Sequence, residues 1–362
     1  MLPALARAFG TTVGGAARVV TAASVAYGVF QFLFGPLGDH LGKYRVITWA
    51  CLGSTVGAFA CALSHDLDVL TIARAVNGAS TAAVIPLSMA WIGDAVPYER
   101  RQAILARFLS GQVLGLLGGQ VVGGFFSDHF GWRWGFAVLG LIYLTVGSLL
   151  LASLSRRAHL RPDAGAGGSQ SGSQRILSVL ANGNARFVLG IVFAEAVGVF
   201  GSLAFIPAYL HLRFGLSLFN AGLIVATFGL GGLSYTLWAR HWVRVLGPGG
   251  LAGIGGLLLG AAFLSLVLSP AWGWAVLACG AAGLGFYQIH NTLQTLATQM
   301  TPEARGTAVS LFASCYFIGQ AAGVALAAAA VDRFGPQSLF LVSAGLMPVI
   351  GGLVHQRLKS PS

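Results

Sequence analysis

The segment Gly35-Pro36-Leu37-Gly38-Asp39-His40-Leu41-Gly42-Lys43-Tyr44-Arg45 lies between two apolar stretches, residues 13–34 and 46–63. Each stretch is close to the ~20 residues that a helix needs to cross a bilayer. A connection this short returns the second helix directly beside the first, and its glycines permit the backbone angles that such a reversal requires. We therefore predict a helical hairpin in a membrane, with residues 35–45 as its turn.

Five residues of this turn follow the spacing G-x-x-x-D-x-x-G-[RK]-x-[RK], namely Gly35, Asp39, Gly42, Lys43 and Arg45. The spacing resembles the loop signature of the major facilitator superfamily, where the loop joins the second and third membrane helices on the cytoplasmic side. The counterpart of this turn in the second half of the chain, around Arg240 and Arg244, has lost the acid and the leading glycine, which suggests that the turn carries the conformational switch. Asp94 would be its partner, because it ends a later helix on the same side and can pair with Lys43 or Arg45. The alternatives are a loop that only sets topology by its positive charge and an Asp94 that is only a helix-end charge.

The composition excludes a water-soluble globular protein. Of the 362 residues, 56% are hydrophobic and 9% are charged, whereas soluble domains carry about 25% charged residues. The formal net charge of +11 comes from basic residues in short loops rather than from one stripe, so we predict no nucleic-acid partner. The four cysteines lie singly within apolar stretches, which predicts neither disulfides nor a metal site. We also expect no cofactor and no enzymatic activity, because no catalytic or phosphate-binding motif occurs.

Apolar stretches recur along the whole chain. We predict eleven membrane-spanning helices, at residues 13–34, 46–63, 68–94, 102–126, 133–154, 186–211, 217–239, 249–269, 272–300, 303–331 and 336–356. The longest polar interval is basic and rich in Gly and Ser, which is typical of a flexible linker. The predicted organisation is a helical bundle at residues 1–155, a cytoplasmic linker at 156–185 and a second bundle at 186–362.

The two predicted bundles share a sequence repeat. Pro97-x-x-Arg100-x-x-Ala103 recurs as Pro302-x-x-Arg305-x-x-Ala308, and Asp128-x-Phe130-Gly131 recurs as Asp332-x-Phe334-Gly335. Parallel repeats of this kind predict two pseudo-symmetric transmembrane bundles. The first helix of the second half has no counterpart in the first, so we expect eleven helices of a full twelve. A start-site error, a truncation or a degenerate gene would explain this, and a genuine eleven-helix protein is the alternative.

Basic residues indicate the orientation in the membrane. Lysine and arginine concentrate in the loops on the side of residues 35–45, in the linker and at the C-terminus. Because such residues stay on the cytoplasmic side, we expect a multi-pass protein of the cell inner membrane with a cytoplasmic linker and C-terminus. We expect it to act in the lipid bilayer as a monomer.

One predicted helix carries glycines at a spacing of four, namely Gly111, Gly115, Gly119 and Gly123. That spacing gives a smooth face on which another helix can pack closely. Together with Gly124, the row resembles the pattern G-x-x-x-G-P-x-x-G-G of the superfamily's antiporters, although Gln120 stands at the proline position. Ordinary helix packing and a gating role both remain open.

Two charged residues within predicted spans, Arg74 and Glu195, are candidates for proton coupling. A charge at membrane depth costs at least about 2.5 kcal/mol and usually faces a cavity or a partner. Arg74-x-x-Asn77-Gly78 resembles the superfamily's fourth-helix motif R-x-x-Q-G, in which the arginine is implicated in proton transfer. Glu195 lies mid-span, where apolar surroundings disfavour the ionised carboxylate, so it is a candidate carrier of one proton per cycle. A Glu195 that is protonated for a structural reason alone is the alternative.

In the superfamily the first and fourth helices of each half line a central cavity. By that resemblance the cavity would contain Arg74 and Glu195 together with Asn77, Ser202, Gln288, His290, Asn291 and Gln294. The polar residues of span 272–300 share neighbouring helix faces, which supports this prediction. His290 alone could equally be a hydrogen-bonded core residue.

The resemblance covers essentially the whole chain and is strongest for bacterial drug:proton antiporters and sugar-efflux permeases. It implies a secondary active transporter that exports a small organic solute, drug-like or sugar-like, in exchange for protons by alternating access. Two alternatives stay open: a proton-coupled importer or facilitator of a small metabolite, and an inactive or truncated membrane protein.

Overall fold

The computed structural model describes residues 1–156, 172–301 and 305–359, and in this part the chain forms helices and no strands. The helices in chain order are α1 (Leu2–Phe9), α2 (Val13–Ala16), α3 (Arg18–Leu41), α4 (Lys43–Leu63), α5 (Leu67–Thr81), α6 (Val84–Ala95), α7 (Tyr98–His129), α8 (Trp132–Arg156), α9 (Gly172–Ala181), α10 (Gly183–Leu203), α11 (Ile206–Phe214), α12 (Leu218–Leu268), α13 (Gly273–Ala297), α14 (Arg305–Phe334) and α15 (Pro336–Lys359). The eleven predicted spans all fall on these helices. Eight segments of the described chain are long and apolar enough to cross a membrane. The predicted class, an all-α membrane protein, is confirmed.

Successive long helices run in alternate directions, so the bundle has two ends. Arg18 at the start of α3 forms an ion pair of 2.7 Å with Asp68 at the start of α5, so these two helices begin at the same end. We call the end at which Gly42 joins α3 to α4 the loop end. We call the opposite end, where α7 finishes at His129 and α14 at Phe334, the clasp end.

The turn within residues 35–45 is shorter than predicted. α3 continues through Leu41 and α4 begins at Lys43, so Gly42 alone reverses the chain. Its φ of 89° and ψ of 123° lie in a region that side chains with a Cβ rarely adopt. The two helices therefore meet at a one-residue corner rather than in a longer loop.

The longest helix, α12, folds back on itself. Gly231 in its first arm and Gly255 in its second arm both pack against α13, within two turns of one another. A straight helix would separate these two glycines by about 36 Å, at 1.5 Å per residue. The reversal lies at Gly247, with φ 63° and ψ 169°, and Pro248 follows it with no amide N–H to continue the helical hydrogen bonding. The two arms correspond to two separate predicted spans.

The predicted linker, residues 156–185, is described only in part, since residues 157–171 lie outside the described residues. Gly172–Ala181 form α9, in which Val179 is fully buried and Ile176 packs beside it on the core of the second half. Residues three apart lie on one face of a helix, so these two give α9 an apolar side. This portion is an amphipathic helix, which differs from the flexible segment that its Gly- and Ser-rich surroundings predicted.

The two halves of the chain meet along three pairs of helices, α3 with α14, α2 with α14, and α7 with the first arm of α12. A Cβ placed on Gly28 of α3 would lie 2.9 Å from Ile318 of α14. Gly124 of α7 lies directly on the backbone of Leu218 at the start of α12. Small residues thus bring the backbones of the two halves close together.

Glycines on α14 pack closely on α10 within the second half. Gly319 and Gly323 meet the backbone of α10, and a Cβ on Gly323 would lie 2.7 Å from the Cα of Val197. Real Cβ atoms do not approach a neighbouring backbone this closely, so a larger residue must move one helix. This contact holds α10 and α14 as one unit.

The matching glycine row on α7 is open. No described atom lies within 4 Å of a Cβ built on Gly111, Gly115 or Gly119. A Cβ on Gly123 would lie 3.6 Å from the side chain of Met1 and near no backbone of the described residues. The contact that α7 makes with α12 uses the neighbouring face, which carries Gly124. Close packing therefore occurs one position beyond the predicted row, because the row itself faces away from α12.

The internal repeat supplies a matched pair of variants that tests this asymmetry. Gly323→Val should destabilise the protein by about 1–3 kcal/mol, the usual cost of overpacking, since its Cβ meets backbone. Gly119→Val, at the corresponding position of α7, should be nearly neutral. Thermal unfolding midpoints of the two purified variants in detergent measure the difference. Equal losses at both positions would contradict the packing described here.

Candidate functional site

A cavity of about 180 Å³ lies between α3, α5 and α14, where the first half of the chain meets the second. Its lining residues are Ala23, Ser24, Tyr27, Arg74, Asn77, Gly78, Thr81, Phe317 and Gln320. Arg74 is the charged residue of this lining, and the others are polar, aromatic or small. The cavity is therefore a mixed site with one fixed positive charge.

Two glycines bring the helices around Arg74 close together. Gly78 of α5 packs on the backbone of Ala23 in α3, and a Cβ on Gly57 of α4 would lie 2.8 Å from the Cα of Asn77. α5 is thus in backbone contact with both neighbouring helices. The approach of α3 brings Ser24 and Tyr27 beside the arginine.

Asn77 fixes the orientation of the arginine. Its Oδ1 accepts a hydrogen bond of 3.2 Å from Arg74 Nη1, and its Nδ2 donates one of 3.1 Å to the Ser54 carbonyl of α4. The guanidinium also lies 5.6 Å from the ring centroid of Phe136. In the described part of the chain no carboxylate forms an ion pair with Arg74. The cavity therefore keeps an uncompensated cation whose side chain is held in place by neutral partners.

A second polar centre lies in the other half, between α10 and α13. Glu195 is completely buried, and its Oε2 lies 3.0 Å from Nδ1 of His290. Its Oε1 has no hydrogen-bond partner among the described residues. Either the imidazole donates to a carboxylate or a protonated carboxyl donates to the imidazole, so the pair can exchange a proton across one hydrogen bond.

Aromatic rings enclose the imidazole of His290. Its ring stacks on Phe286 at 5.0 Å and contacts Tyr316 at 4.8 Å and Phe312 at 5.5 Å between centroids. The rings exclude water from most of the pair, and the His290 side chain keeps 16% of its exposure. Taking up or releasing one proton would change the net charge of this enclosed pair by one unit, a change that buried surroundings oppose strongly.

The two polar centres are connected through α14. Tyr316 contacts His290, and its neighbour Phe317 contacts Tyr27 of α3 with ring centroids 4.0 Å apart. Phe317 and Tyr27 also line the cavity that contains Arg74. Adjacent residues of one helix thus touch the Glu195–His290 pair and the cavity wall.

The other residues predicted for the cavity lie elsewhere. Ser202 is buried between α10 and α15, where its hydroxyl bonds with that of Ser343 at 2.9 Å. Gln288 is 2% exposed and faces Gly255 of α12. A Cβ built on Gly255 would lie 3.0 Å from the Cβ of Gln288. Asn291 is half-buried and Gln294 is exposed. Of the predicted set, only Arg74 and Asn77 line the cavity itself, because a polar face on one helix does not specify which neighbour it meets.

At the loop end, three of the predicted switch residues form one ion-pair cluster. Lys43 Nζ lies 2.5 Å from the Asp94 carboxylate and 3.6 Å from that of Asp39. Of the two predicted partners of Asp94, Lys43 makes the contact, while Arg45 and Gly35 are exposed. The cluster joins the corner between α3 and α4 to the end of α6, all within the first half.

At the clasp end, two aspartates each reach the start of a helix in the other half. Asp128 at the end of α7 accepts a hydrogen bond of 2.6 Å from the backbone N–H of Phe219 in α12. Asp332 at the end of α14 accepts one of 3.3 Å from the N–H of Gly14 and one of 2.7 Å from the Thr12 hydroxyl. The N–H groups at a helix start lack helical partners and carry partial positive charge, so both aspartates bind there favourably. We call these two contacts the clasps.

The clasps are related by the sequence repeat. Asp128 and Asp332 occupy the same place in the repeated Asp-x-Phe-Gly motif. Thr12 and Ser217 each cap the helix start that is clasped, by accepting a hydrogen bond from an N–H three residues later. One interaction is therefore built twice around the pseudo-symmetry axis, and together the clasps close this end of the bundle.

Several residues of the site were not predicted from the sequence. The neutral lining residues Ser24, Tyr27, Thr81, Phe317 and Gln320 carry no signal that separates them from other residues of membrane helices. The clasps did leave a signal, because the repeated motif contained both aspartates. A charged residue kept at matching helix ends of both halves indicates a contact between the halves.

A family model described as Major Facilitator Superfamily matches residues 1–324. The uncharacterized MFS-type transporter YwfA of Bacillus subtilis (strain 168) is 28% identical over 236 residues, which cover 64% of this chain and 56% of YwfA. The uncharacterized MFS-type transporter YceJ of the same organism is 27% identical over 338 residues, which cover 90% of this chain and 83% of YceJ. The multidrug export protein EmrB of Escherichia coli (strain K12) is 26% identical over 156 residues, or 43% of this chain and 30% of EmrB.

The fold is that of a solved transporter. The crystal structure of the nucleoside transporter NupG superposes with a TM-score of 0.73 at 12% identity, covering 96% of this chain and 91% of NupG. At this identity the likeness concerns the fold alone. Two pseudo-symmetric helix bundles, the fold predicted from the sequence, are confirmed.

Removing both clasp carboxylates should open the clasp end. Each lost bond from a helix N-terminus to an exposed carboxylate is worth about 1 kcal/mol, and 1.4 kcal/mol is a factor of ten in a population. In the double variant Asp128→Ala, Asp332→Ala we expect the population in which the halves are separated at the clasp end to rise about tenfold or more. Spin labels on His65→Cys and Gln337→Cys, exposed positions in opposite halves, report the distance by double electron–electron resonance.

Asp68→Ala is the matched control for this measurement. It removes an exposed aspartate at the same end, but its partner Arg18 lies in the same half. The distance between the labels should stay unchanged in this variant. In every labelled protein, the half-buried Cys315 is replaced by alanine so that it takes up no label. An identical distance distribution in the clasp variant and the control would show that the clasps do not hold the halves together.

Proposed function

This chain belongs to the Major Facilitator Superfamily, and on that premise we propose that it is a proton-coupled exporter of a small organic solute that works by alternating access. The family is one of membrane transporters rather than enzymes. The observation that carries the proposal is the buried pair of Glu195 and His290, which are 3.0 Å apart and connect to the cavity through Tyr316 and Phe317. The solute is drug-like or sugar-like in this proposal.

The pair suits proton coupling because it is enclosed and has spare acceptor capacity. Glu195 is fully buried, yet no group in the described part of the chain forms a hydrogen bond with its Oε1. A structural glutamate would be expected to have both oxygens satisfied, since unpaired buried polar atoms are costly. An oxygen that lacks a partner in one conformation can gain water or a donor in another. This supports a cycle in which the carboxyl is protonated and deprotonated in different states.

Alternating access needs two rigid halves and a contact that can break. Backbone contacts at Gly323 within the second half and at Gly78 within the first support rigid units. The clasps between the halves involve few groups and lie at the exposed end of the bundle, so they suit a contact that opens. The ion pair of Lys43 with Asp94 at the loop end would then stabilise the corner that moves with the first half.

The direction of transport and the membrane orientation belong to the same proposal. EmrB, a relative of this chain, is named a multidrug export protein. This name supports export as the direction of transport in our proposal. The basic loops at the loop end support a cytoplasmic location of that end in the inner membrane, together with the linker and the C-terminus. We propose a monomer whose two halves comprise residues 1–155 and 186–362.

Glu195→Gln should uncouple transport from protons. In inverted vesicles that hold a preformed pH gradient, a transported solute should dissipate the gradient through the native chain. We expect this for at least one probe among benzenesulfonate, as a permanently charged aromatic anion, ethidium, as a drug-like cation, and lactose, as a sugar-like solute. The Gln variant should lose proton release with all probes, because an amide cannot carry a proton, while Glu195→Asp should retain part of it.

Three outcomes are distinct. Dissipation that persists in the Gln variant would remove Glu195 from coupling. Solute movement that is independent of the gradient would favour a facilitator, and proton and solute moving in the same direction would favour an importer. Vesicles that contain a double cysteine variant, Thr12→Cys with Asp332→Cys, give the gating control, since oxidation should stop all movement and reduction should restore it.

A further inference from the structure

The cavity between α3, α5 and α14 holds a positive charge without a counter-charge. The Arg74 guanidinium has five N–H donors, of which one bonds to Asn77. No carboxylate of the described chain pairs with it. A cation at membrane depth is costly unless a partner of opposite charge is nearby. The remaining donors are thus available to an anion that enters the cavity.

Neutral donors surround the same space. Ser24, Tyr27 and Gln320 line the cavity, and no hydrogen bond joins their side chains to the described part of the chain. Ser24 is only 7% exposed, so its free hydroxyl is a buried polar group that faces the cavity. Hydroxyl and amide groups donate to carboxylate oxygens as readily as to water. The lining therefore offers several donors around one cation and no acidic group.

One wall of the cavity is aromatic. The rings of Tyr27 and Phe317 meet at 4.0 Å with planes 41° apart, and both line the space. A cavity of about 180 Å³ is slightly larger than the ~150 Å³ apolar cavity that takes up one benzene. There is room for a single ring with one small polar group. The two rings come from opposite halves, so an occupant would contact both halves at once.

We propose that this cavity binds small aromatic organic anions, with the carboxylate on Arg74 and the ring against Tyr27 and Phe317. The proposal deepens the proposed function, on which it rests, by naming the chemical class of the solute. A carboxylate completes the charge balance that Arg74 lacks, and Ser24 and Gln320 supply further donors. The ring replaces water on the apolar wall. Uncharged solutes of the same shape keep the contact of the ring with the apolar wall but lack the charge contact with Arg74.

Four small probes separate charge from shape. Benzoate, benzamide and benzamidine have nearly the same size and carry charges of −1, 0 and +1 at pH 7, while acetate carries the charge without the ring. The dissociation constants follow from the rise in thermal unfolding midpoint with probe concentration, at constant ionic strength, for the full chain in detergent. Benzoate should bind about tenfold more tightly than benzamide, because the uncharged amide cannot make the charge-assisted contact with Arg74. Acetate and benzamidine should be weaker still.

The variants assign the preference to the cavity. Arg74→Gln should bring benzoate and benzamide to equal affinity, and Arg74→Lys should keep part of the preference for the anion. Arg18→Gln is the matched control, because it removes an exposed arginine that is ion-paired at the clasp end and should leave binding unchanged. Tyr27→Phe keeps the ring and removes one donor, and about a fivefold loss is expected for benzoate. This variant keeps the test open should Arg74→Gln fail to fold.

Benzamide or benzamidine binding as tightly as benzoate would overturn the proposal, as would a preference for benzoate that survives Arg74→Gln. Acetate matching benzoate would show a general anion site and remove the aromatic part. Binding is measured without a pH gradient, so it is independent of proton coupling. Anion selectivity without coupled transport would refute the proposed function alone, whereas coupled transport without this selectivity would refute only the present inference.

Discussion

The structure depends on one interaction that occurs twice, a carboxylate at the end of a helix in one half bound to the start of a helix in the other. Asp128 and Asp332 meet N–H groups that no helical bond satisfies. Each contact is worth about 1 kcal/mol at an exposed site, so the two together reach only a few kcal/mol. Conformations that exchange in a working protein differ by about that much. The clasps are thus strong enough to define a closed end and weak enough to release it.

Contacts within each half include close backbone packing at glycines. At Gly323 and Gly78 one helix backbone lies against another, and no rearrangement of a side chain can relieve a change there. The contacts are continuous with a core of buried apolar residues that extends through the second half. Gly124 of α7 makes a similar backbone contact with Leu218 of the other half, so opening has to break that contact as well as the clasps. At the loop end, the one-residue corner at Gly42 joins α3 directly to α4.

The sequence predicted the fold well because lipid imposes simple rules. Long apolar stretches, few charges and a repeated Asp-x-Phe-Gly motif were enough for two helical bundles. Local spacing also indicated Arg74 and Asn77, which are three residues apart on one helix and therefore adjacent. Contacts between distant segments were harder. The spacing of Gly111, Gly115 and Gly119 gives a smooth row, but nothing in that row tells whether a neighbour covers it. Likewise the polar face of α13 contains Gln288, which is buried against α12 within its own half.

The helix α14 connects the three features on which the proposed cycle depends. Tyr316 contacts His290, Phe317 lines the Arg74 cavity, and Asp332 forms a clasp at the end of the same helix. Adjacent helical residues point about 100° apart, so one helix can touch two sites on different sides. A change of charge at Glu195 and His290 that displaces Tyr316 must also displace Phe317, since both belong to one stiff backbone. Because Phe317 meets Tyr27 of the other half, occupancy of the cavity and the charge of the buried pair act on the same interface, and the position of α14 is the quantity that both would change.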